Sequence, residues 1–346
     1  VAFLAAAQIF GGTKVIDTCI EVILAIFGRI RGGAGYVALI SSTFMGALSG
    51  SGAGNVAATG VFTIPAMKKS GFPAHLAANV EMASSTMGNM IPPAGVITMA
   101  YGVLNTMYPD KYTMSNFWIV MWGISIWFII QRAITLYAFC RYYKVQPIAR
   151  QDIPHLGQAL KKGWKALLLP VIIFLPFYLD AKLKSTLFTA RLGIGAGSLS
   201  SCVLLFTPGL AAIYALLIAK DKKDAAPKSI ASMLSKSVKS IVPVCATIFF
   251  AYAISNLFGT LDVGANIGAY ISGWGLPLWA LAFFIPLFCA LLGMVLPGSS
   301  QTAIFGAPIL TIMAATGANP LLVAGMLPVI TGAMEGMTTP LALCMY

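Results

Sequence analysis

Residues Met45 to Pro93 read MGALSGSGAGNVAATGVFTIPAMKKSGFPAHLAANVEMASSTMGNMIPP. An apolar run stops at a small polar tip, Ser49-Gly50-Ser51-Gly52-Ala53-Gly54-Asn55, and resumes to Ile64-Pro65. It turns at Lys68-Lys69-Ser70-Gly71, resumes again, and breaks at Ser84-Ser85-Thr86-Met87-Gly88 ahead of Pro92-Pro93. Irregular backbone inside a bilayer is tolerated only where protein or a watery cavity satisfies its N–H and C=O groups. Such breaks free carbonyls for a cation and helix N-termini for an anion, which is how discontinuous helices build ion and substrate sites.

The surrounding chain is that of a membrane protein. Of 346 residues, 58% are hydrophobic and 9% charged, against roughly 25% charged in a soluble domain, and the mean hydropathy is +0.86. The net charge of +12 lies in loops between apolar runs, which points to membrane topology. No basic face carries interleaved aromatics, so nucleic acid is excluded as a partner. The cysteines Cys19, Cys140, Cys202, Cys245, Cys289 and Cys344 form no CxxC pair and read as free thiols. With two histidines and no Cys/His cluster, zinc is not expected. The chain opens on Val1-Ala2-Phe3-Leu4 without a charged leader and ends in an apolar run. It reads as an internal or ordered piece of a longer one.

Taken in order, residues 1–12 end a scaffold helix and 13–31 form an amphipathic arm along the interface. Residues 32–105 form a first transport repeat. Each arm flanking its tip is about fifteen residues long, too short to span, so a re-entrant hairpin is expected, followed by a broken helix. Connecting and scaffold helices occupy 106–258, with spans at 116–138, 166–180, 193–219 and 240–258. Basic loops at 141–165 and 220–239 are placed in the cytoplasm by their lysines and arginines. Counting spans puts Arg29, Arg31, Lys68 and Lys69 on that side and the 182–191 loop outside. A second arm is expected at 259–277 and a second transport repeat at 278–346.

The two repeats align at one constant spacing: Gly46 with Gly293, Pro73 with Pro320, Ala77 with Ala324, Met90 with Met337 and Pro93 with Pro340. The matches fall on punctuating residues. Leu296-Pro297-Gly298-Ser299-Ser300-Gln301 is the second tip, and a second break is expected at Thr331-Gly332-Ala333-Met334-Glu335-Gly336 ahead of Thr338-Thr339-Pro340. An odd number of spans separates the halves, so the repeats are inverted, as in secondary transporters. The expected fold is an all-α polytopic membrane protein with two re-entrant hairpins and broken helices, of elevator type.

Na⁺ takes oxygen ligands. The first candidate cation site is Ser49, Gly50, Ser51, Gly52 and Asn55 with Ser84, Ser85, Thr86 and Gly88. The second is Pro297, Gly298, Ser299, Ser300 and Gln301 with Thr331, Gly332, Glu335 and Thr338. Small residues also let helices pack closely, but four clusters paired by symmetry and each next to proline favour sites. Asn55, Thr59 and Asn89 are positioned either to bond a substrate carboxylate or hydroxyl, or to satisfy freed backbone within the hairpin. Ser300 joins them as a substrate-binding residue. Glu335, inside a break, is placed for ion binding or protonation. Glu81 precedes its break and is placed to pair with a neighbour or a helix N-terminus, and His75 reads as interfacial. No nucleophile elbow, phosphate loop or metalloprotease motif is present, so no catalytic residue and no cofactor are assigned.

The first-repeat sequence resembles the large permease subunit of tripartite ATP-independent periplasmic (TRAP) transporters. The resembling features are the SGS…N…TG tip, the TIP-x-MKK-x-GF exit and the E-x-A-S-S-T-x-G-x-x-x-P-P break, with IDTCIEVILAIFGRIRGG upstream similar to that family's arm. LPGSSQTAIFGAPIL and EGMTTP in the second half are looser but in register. They depart from the family in carrying Thr339-Pro340 for a double proline, and in Glu335. The resemblance implies Na⁺-driven uptake of small organic acids across the bacterial or archaeal inner membrane by an elevator movement. It implies two partners, a small membrane (Q) subunit and a periplasmic substrate-binding protein, and puts Na⁺ coordination at the two tip-and-break pairs. The rival expectations are a stand-alone elevator carboxylate carrier, coupled to Na⁺ or H⁺ without a binding protein, and an ion channel. A saturable, stoichiometric flux separates a carrier from a channel.

Overall fold

The computed structural model describes residues 2–337, apart from 50–51, 93, 110, 184–186, 194, 220, 222, 224, 262–265, 267–269, 271–272, 274–276 and 295. Among the described residues there are helices and no strands. The expected second arm at 259–277 and the last residues of the second repeat fall largely outside them.

Helix α1 (Ala2–Gly12) and the arm α2 (Val15–Phe27) are separated at Lys14, which takes a left-handed conformation with φ 54°. The first hairpin is α3 (Gly33–Ser49) and α4 (Gly52–Lys69). Gly71, at φ +90°, turns the chain into α5 (Ala74–Ser85). A 3-10 segment, Thr86–Asn89, then leads through the break to α6 (Gly95–Met107). Proline explains the break: it has no N–H to offer the preceding turn, and it biases the residue before it away from helix.

The long α7 (Met114–Tyr142) is, among the described residues, the one helix long and apolar enough to cross a membrane by itself. Its 29 residues reach about 43 Å at 1.5 Å per residue. Large apolar side chains line its outside, with Trp127 67% and Ile134 65% exposed, as a lipid-facing surface requires. The short α8 (Leu156–Gly163) lies against α2, with α9 (Leu169–Leu183), α10 (Thr189–Leu192) and α11 (Gly195–Leu217) following. Next comes α12 (Pro227–Thr260). The basic stretch expected as a loop to 239 is therefore helical from Pro227. Met233, on its inner face, is buried with Phe10 and Met45, which supplies the reason.

The second hairpin is α13 (Leu278–Gly293) and α14 (Gly298–Ala315), followed by α15 (Pro320–Met337). Its boundaries track those of the first repeat to within a few residues, and Gly317 turns at φ +87° where Gly71 turns at +90°. The expected second break is not where the sequence placed it: α15 runs unbroken through Thr331–Gly336. The Thr331 hydroxyl bonds back to the Leu327 carbonyl at 2.8 Å within the helix, and no proline stands between Pro328, which the helix accommodates, and Pro340.

One apolar core joins the repeats. Met87, Met90 and Ile91 of the first break pack with Phe117, Trp118 and Met121 of α7 and with Leu310, Ala324 and Leu327 of the second repeat. A second core holds α1, α2 and α3 against α9, α11 and α12.

The hairpin exit and the basic loop meet at one end of the molecule. Gln146 N–H donates to the Ser70 carbonyl at 3.0 Å, Ile148 N–H to Gly28 O at 3.2 Å, and Arg31 Nε to Val145 O at 3.1 Å. The charges sorted by the sequence onto one face are thus brought together there. In a background lacking native cysteines, Lys69→Cys and Tyr142→Cys are therefore expected to react with an impermeant thiol reagent from the same side of sealed vesicles. Labelling from opposite sides would contradict this arrangement.

Candidate functional site

The site is built where the first hairpin meets its own break. Asn55, wholly buried on α4, holds the two together. Its amide nitrogen donates to Ser42 O on α3 at 2.8 Å and to Ser85 O, at the end of α5, at 3.2 Å. With both amide protons committed, the amide oxygen points elsewhere, and Asn55 Oδ1 has no hydrogen-bond partner among the described residues. Asn89 answers from the other side: its Oδ1 accepts from Gly52 N–H at the tip, at 3.3 Å. The freed Met90 carbonyl accepts from the Ser125 hydroxyl of α7 at 2.8 Å, and Thr86 Oγ1 accepts from Arg132 Nη2 of α7 at 2.8 Å. Glycine permits the close approach of α3, since a Cβ at Gly46 would stand 3.0 Å from Gly88 Cα.

Beneath this lies a buried carboxylate. Glu81 is 1% exposed. Its Oε1 accepts from Thr59 Oγ1 at 2.5 Å and from Ser85 Oγ at 3.2 Å, and its Oε2 accepts from Thr63 Oγ1. Thr59 Oγ1 also lies 2.9 Å from the Asn55 carbonyl and 3.2 Å from Ser42 Oγ. Thr59 and Thr63 stand four apart, so they share one face of α4, and that face meets Glu81 of α5. Glu81 therefore pairs with neighbouring hydroxyls rather than with a helix N-terminus, the other expectation for it. A carboxylate out of water is costly unless well hydrogen-bonded, and here hydroxyls supply the bonds.

The second repeat is built differently. Thr302 of α14 and Thr331 of α15 bond through their hydroxyls at 3.0 Å; they stand at the repeat positions of Asn55 and Ser84. At the tip, Gln301 Nε2 donates to Leu296 O at 2.9 Å, while its buried Oε1 has no partner among the described residues. Pro328, Gly306, Leu310 and Cys289 occupy the repeat positions of Glu81, Thr59, Thr63 and Ser42, so the carboxylate network has no counterpart. The two repeats touch at the centre: a Cβ on Gly332 would stand 2.6 Å from Asn89 Cβ.

Of the expected cation residues, Gly52, Ser84, Ser85, Thr86 and Gly88 gather at the first tip and break, all buried. Pro297, Gly298 and Ser299 form the second tip, and Thr331 and Gly332 lie on α15. Gly50, Ser51, Thr338 and the side chains of Ser49 and Glu335 lie outside the described residues. Asn55 and Thr59, expected at substrate or at freed backbone, are enclosed and bond within the hairpin and to its break, whereas Asn89 and half-buried Ser300 keep some exposed surface. Sequence reasoning passed over Thr63, Ser125 and Arg132. An arginine within a membrane helix was the available signal.

The pattern of the tripartite ATP-independent periplasmic transporter DctM component covers residues 1–346. The chain belongs to this family. It is a transport subunit, not an enzyme, and an integral membrane protein. It is 23% identical over 323 residues to the C4-dicarboxylate TRAP transporter large permease protein DctM of Pseudomonas aeruginosa, covering 93% of this chain and 69% of that one. Over 101 residues it is 33% identical to the isethionate TRAP transporter permease protein DctMQ of Oleidesulfovibrio alaskensis, covering 29% of this chain and 16% of that one. Its fold is similar to that of the Alcanivorax borkumensis YdaH transporter, described as having an unusual topology, with a TM-score of 0.60 at 16% identity over 99% of this chain and 75% of that one.

Two outcomes follow from the packing of this DctM-family chain. Glu81→Ala removes the group that Thr59, Thr63 and Ser85 share and leaves the Ser85 hydroxyl without an acceptor, and should cost about 2–3 kcal/mol of stability, with Glu81→Gln costing less because it keeps an acceptor oxygen. Thermal unfolding of the purified protein measures both. Gly332→Ala forces its methyl onto Asn89 and should cost about 1–3 kcal/mol, whereas Gly123→Ala on the open face of α7 should stabilise by about 0.5–1 kcal/mol.

Proposed function

We propose that this chain is the membrane-embedded permease of a tripartite system that couples Na⁺ entry to uptake of a small organic acid across the inner membrane. A periplasmic binding protein delivers the acid, and a small membrane subunit supports the permease. The carrying observation is the pair of buried amide oxygens, Asn55 Oδ1 and Gln301 Oε1, one at each tip, that have no partner among the described residues. An uncompensated carbonyl oxygen in a dry, oxygen-rich setting suits a hard cation. Beside the first stands Ser85, whose carbonyl accepts from the Asn55 amide nitrogen, and beside the second Thr302, next in sequence to Gln301, bonds Thr331. The hairpins enter the membrane without crossing it, from opposite faces.

In this mechanism Na⁺ binds at each tip-and-break pair and draws tip and break together. That closure presents Asn89 and Ser300 to the acid between the repeats, and the loaded hairpin-bearing body then moves across. The named relatives support the substrate class: one is named for C4-dicarboxylates and another for isethionate, both small organic anions. The DctMQ name supports the partnership with a small subunit.

The test is uptake into liposomes holding the permease and its small subunit, with Na⁺ and the cognate binding protein each present or omitted. Transport should require both. Transport indifferent to the binding protein would argue for a stand-alone carrier, and indifference to Na⁺ would remove the cation sites. With both present, Ser85→Ala should raise the Na⁺ concentration for half-maximal uptake about tenfold, corresponding to about 1.4 kcal/mol, at unchanged expression.

A further inference from the structure

Lysines from separate segments gather at one corner of the molecule. A cavity of about 300 Å³ is lined by Lys14, between α1 and α2, by Lys162 of α8 and by Lys165 just after it. Glu21 of α2 also lines it, with Thr13, Thr18 and the apolar Val15, Ala166 and Ile218. The Thr13 hydroxyl donates back to the Ile9 carbonyl at 2.9 Å and the Thr18 hydroxyl to the Lys14 carbonyl at 3.3 Å. The ammonium groups are therefore what the cavity has to offer an anion. Lys14 reaches the cavity from a left-handed backbone, at φ 54°, a conformation that side chains other than glycine's rarely adopt.

Helix ends put this corner at the level of lipid headgroups. Helix α1 ends at Gly12, α11 ends at Leu217 and α9 begins at Leu169. The Tyr214 hydroxyl of α11 donates to the Lys165 carbonyl at 2.9 Å and fixes the corner. Trp164 is half exposed, with Lys165 Nζ 5.9 Å from its ring centroid. A tryptophan beside a lysine is what the headgroup layer of a bilayer selects. Residues 141–165 contain six Lys or Arg and one Asp, which puts this corner on the cytoplasmic side. An apolar track leads from the cavity into the membrane. Phe206, Leu210, Ile213 and Leu217 of α11 stand four, three and four residues apart, so they share one face, and each is more than half exposed. Leu217 adjoins Ile218 of the cavity wall.

We infer that this cavity binds the headgroup phosphate of an anionic phospholipid from the cytoplasmic leaflet, such as phosphatidylglycerol, with an acyl chain laid along the exposed face of α11. Basic pockets between helices on this side of a membrane take anionic headgroups, and lysine binds phosphate as a point charge on a flexible stem. The apolar track decides between lipid and a soluble phosphate, because a soluble anion would use the lysines and leave the track without a role. The cavity wall is shared by the arm α2, by α8 and by the ends of α1 and α11. A lipid seated there therefore ties the arm to the scaffold core that holds α9, α11 and α12. The site is distinct from the tips and breaks, and its lipid does not depend on which solute is carried.

The test uses the full permease, purified with its small subunit and placed in phosphatidylcholine nanodiscs with increasing fractions of phosphatidylglycerol, while thermal unfolding is followed. Wild type should gain stability with phosphatidylglycerol and saturate, and glycerol 3-phosphate added to pure phosphatidylcholine discs should give no such gain. Two charge-matched pairs are compared, Lys14→Gln with Lys165→Gln in the cavity and Lys144→Gln with Lys161→Gln outside it. The half-saturating fraction of phosphatidylglycerol should rise about tenfold or more in the cavity pair and stay within about twofold of wild type in the other. Equal losses in the two pairs would make the attraction a diffuse property of the basic surface and overturn the inference. A wild type indifferent to phosphatidylglycerol would overturn it without any variant. Stabilisation by glycerol 3-phosphate alone would replace the lipid with a soluble phosphate ligand, which also overturns it. None of these readouts involves transport, so failure of the uptake experiment above leaves this result to stand or fall by itself.

Discussion

Backbone released inside a membrane has to be bonded by something. At the end of α5 the helix stops, and the carbonyls and amides it frees find partners supplied from three directions. Asn55 of the hairpin donates to the Ser85 carbonyl, Ser125 of α7 donates to the Met90 carbonyl, and the side-chain Oδ1 of Asn89 in the same segment accepts from Gly52 N–H at the tip. Each bond ties the break to a different element, so the irregular segment is the junction of the molecule rather than a gap in it. The apolar core follows the same geometry, with Met87, Met90 and Ile91 of that segment packed between α7 and the second repeat.

The two repeats share their outline but not their interior. The lengths of the two hairpin arms, the glycine turns and the hydroxyl or amide bond between outgoing arm and following helix recur in both. A carboxylate bonded by three hydroxyls exists only in the first among the described residues, and proline, glycine, leucine and cysteine replace its members in the second. The first hairpin is consequently held to α5 by two hydroxyls, Thr59 and Thr63, bonded to one carboxyl group. Among the described residues, the second is held by apolar packing and one pair of threonines.

Local signals made much of this legible in the sequence. Ser-Gly clusters, the paired prolines and the glycine turns fix where helices start and stop, and those boundaries appear where expected in the first repeat. The second break was misplaced because Thr331-Gly332 resembles Ser84-Ser85 in composition. A threonine can return its hydroxyl to the preceding turn and leave the helix intact. The Glu81 network was hidden for another reason. Thr59 and Thr63 advertise a shared face at their four-residue spacing, but nothing local states which face of α5 that pair meets. Ser125 and Arg132 were likewise lost in the long apolar reading of α7, since their roles depend on contacts some forty residues away in sequence.

The hairpin's construction bears on how the chain is made. Helices α3 and α4 have 17 and 18 residues and α5 has 12, and α5 carries a carboxylate that hydrocarbon alone would reject. Two of the three hydroxyls that bond Glu81, those of Thr59 and Thr63, belong to α4, the helix synthesised immediately before it, and the third, Ser85, to α5 itself. During biosynthesis α5 therefore has to leave the insertion machinery together with the hairpin already emerged, as one package. A mutation that removes Thr59 or Thr63 then acts first on the yield of inserted protein, before any transport cycle has begun.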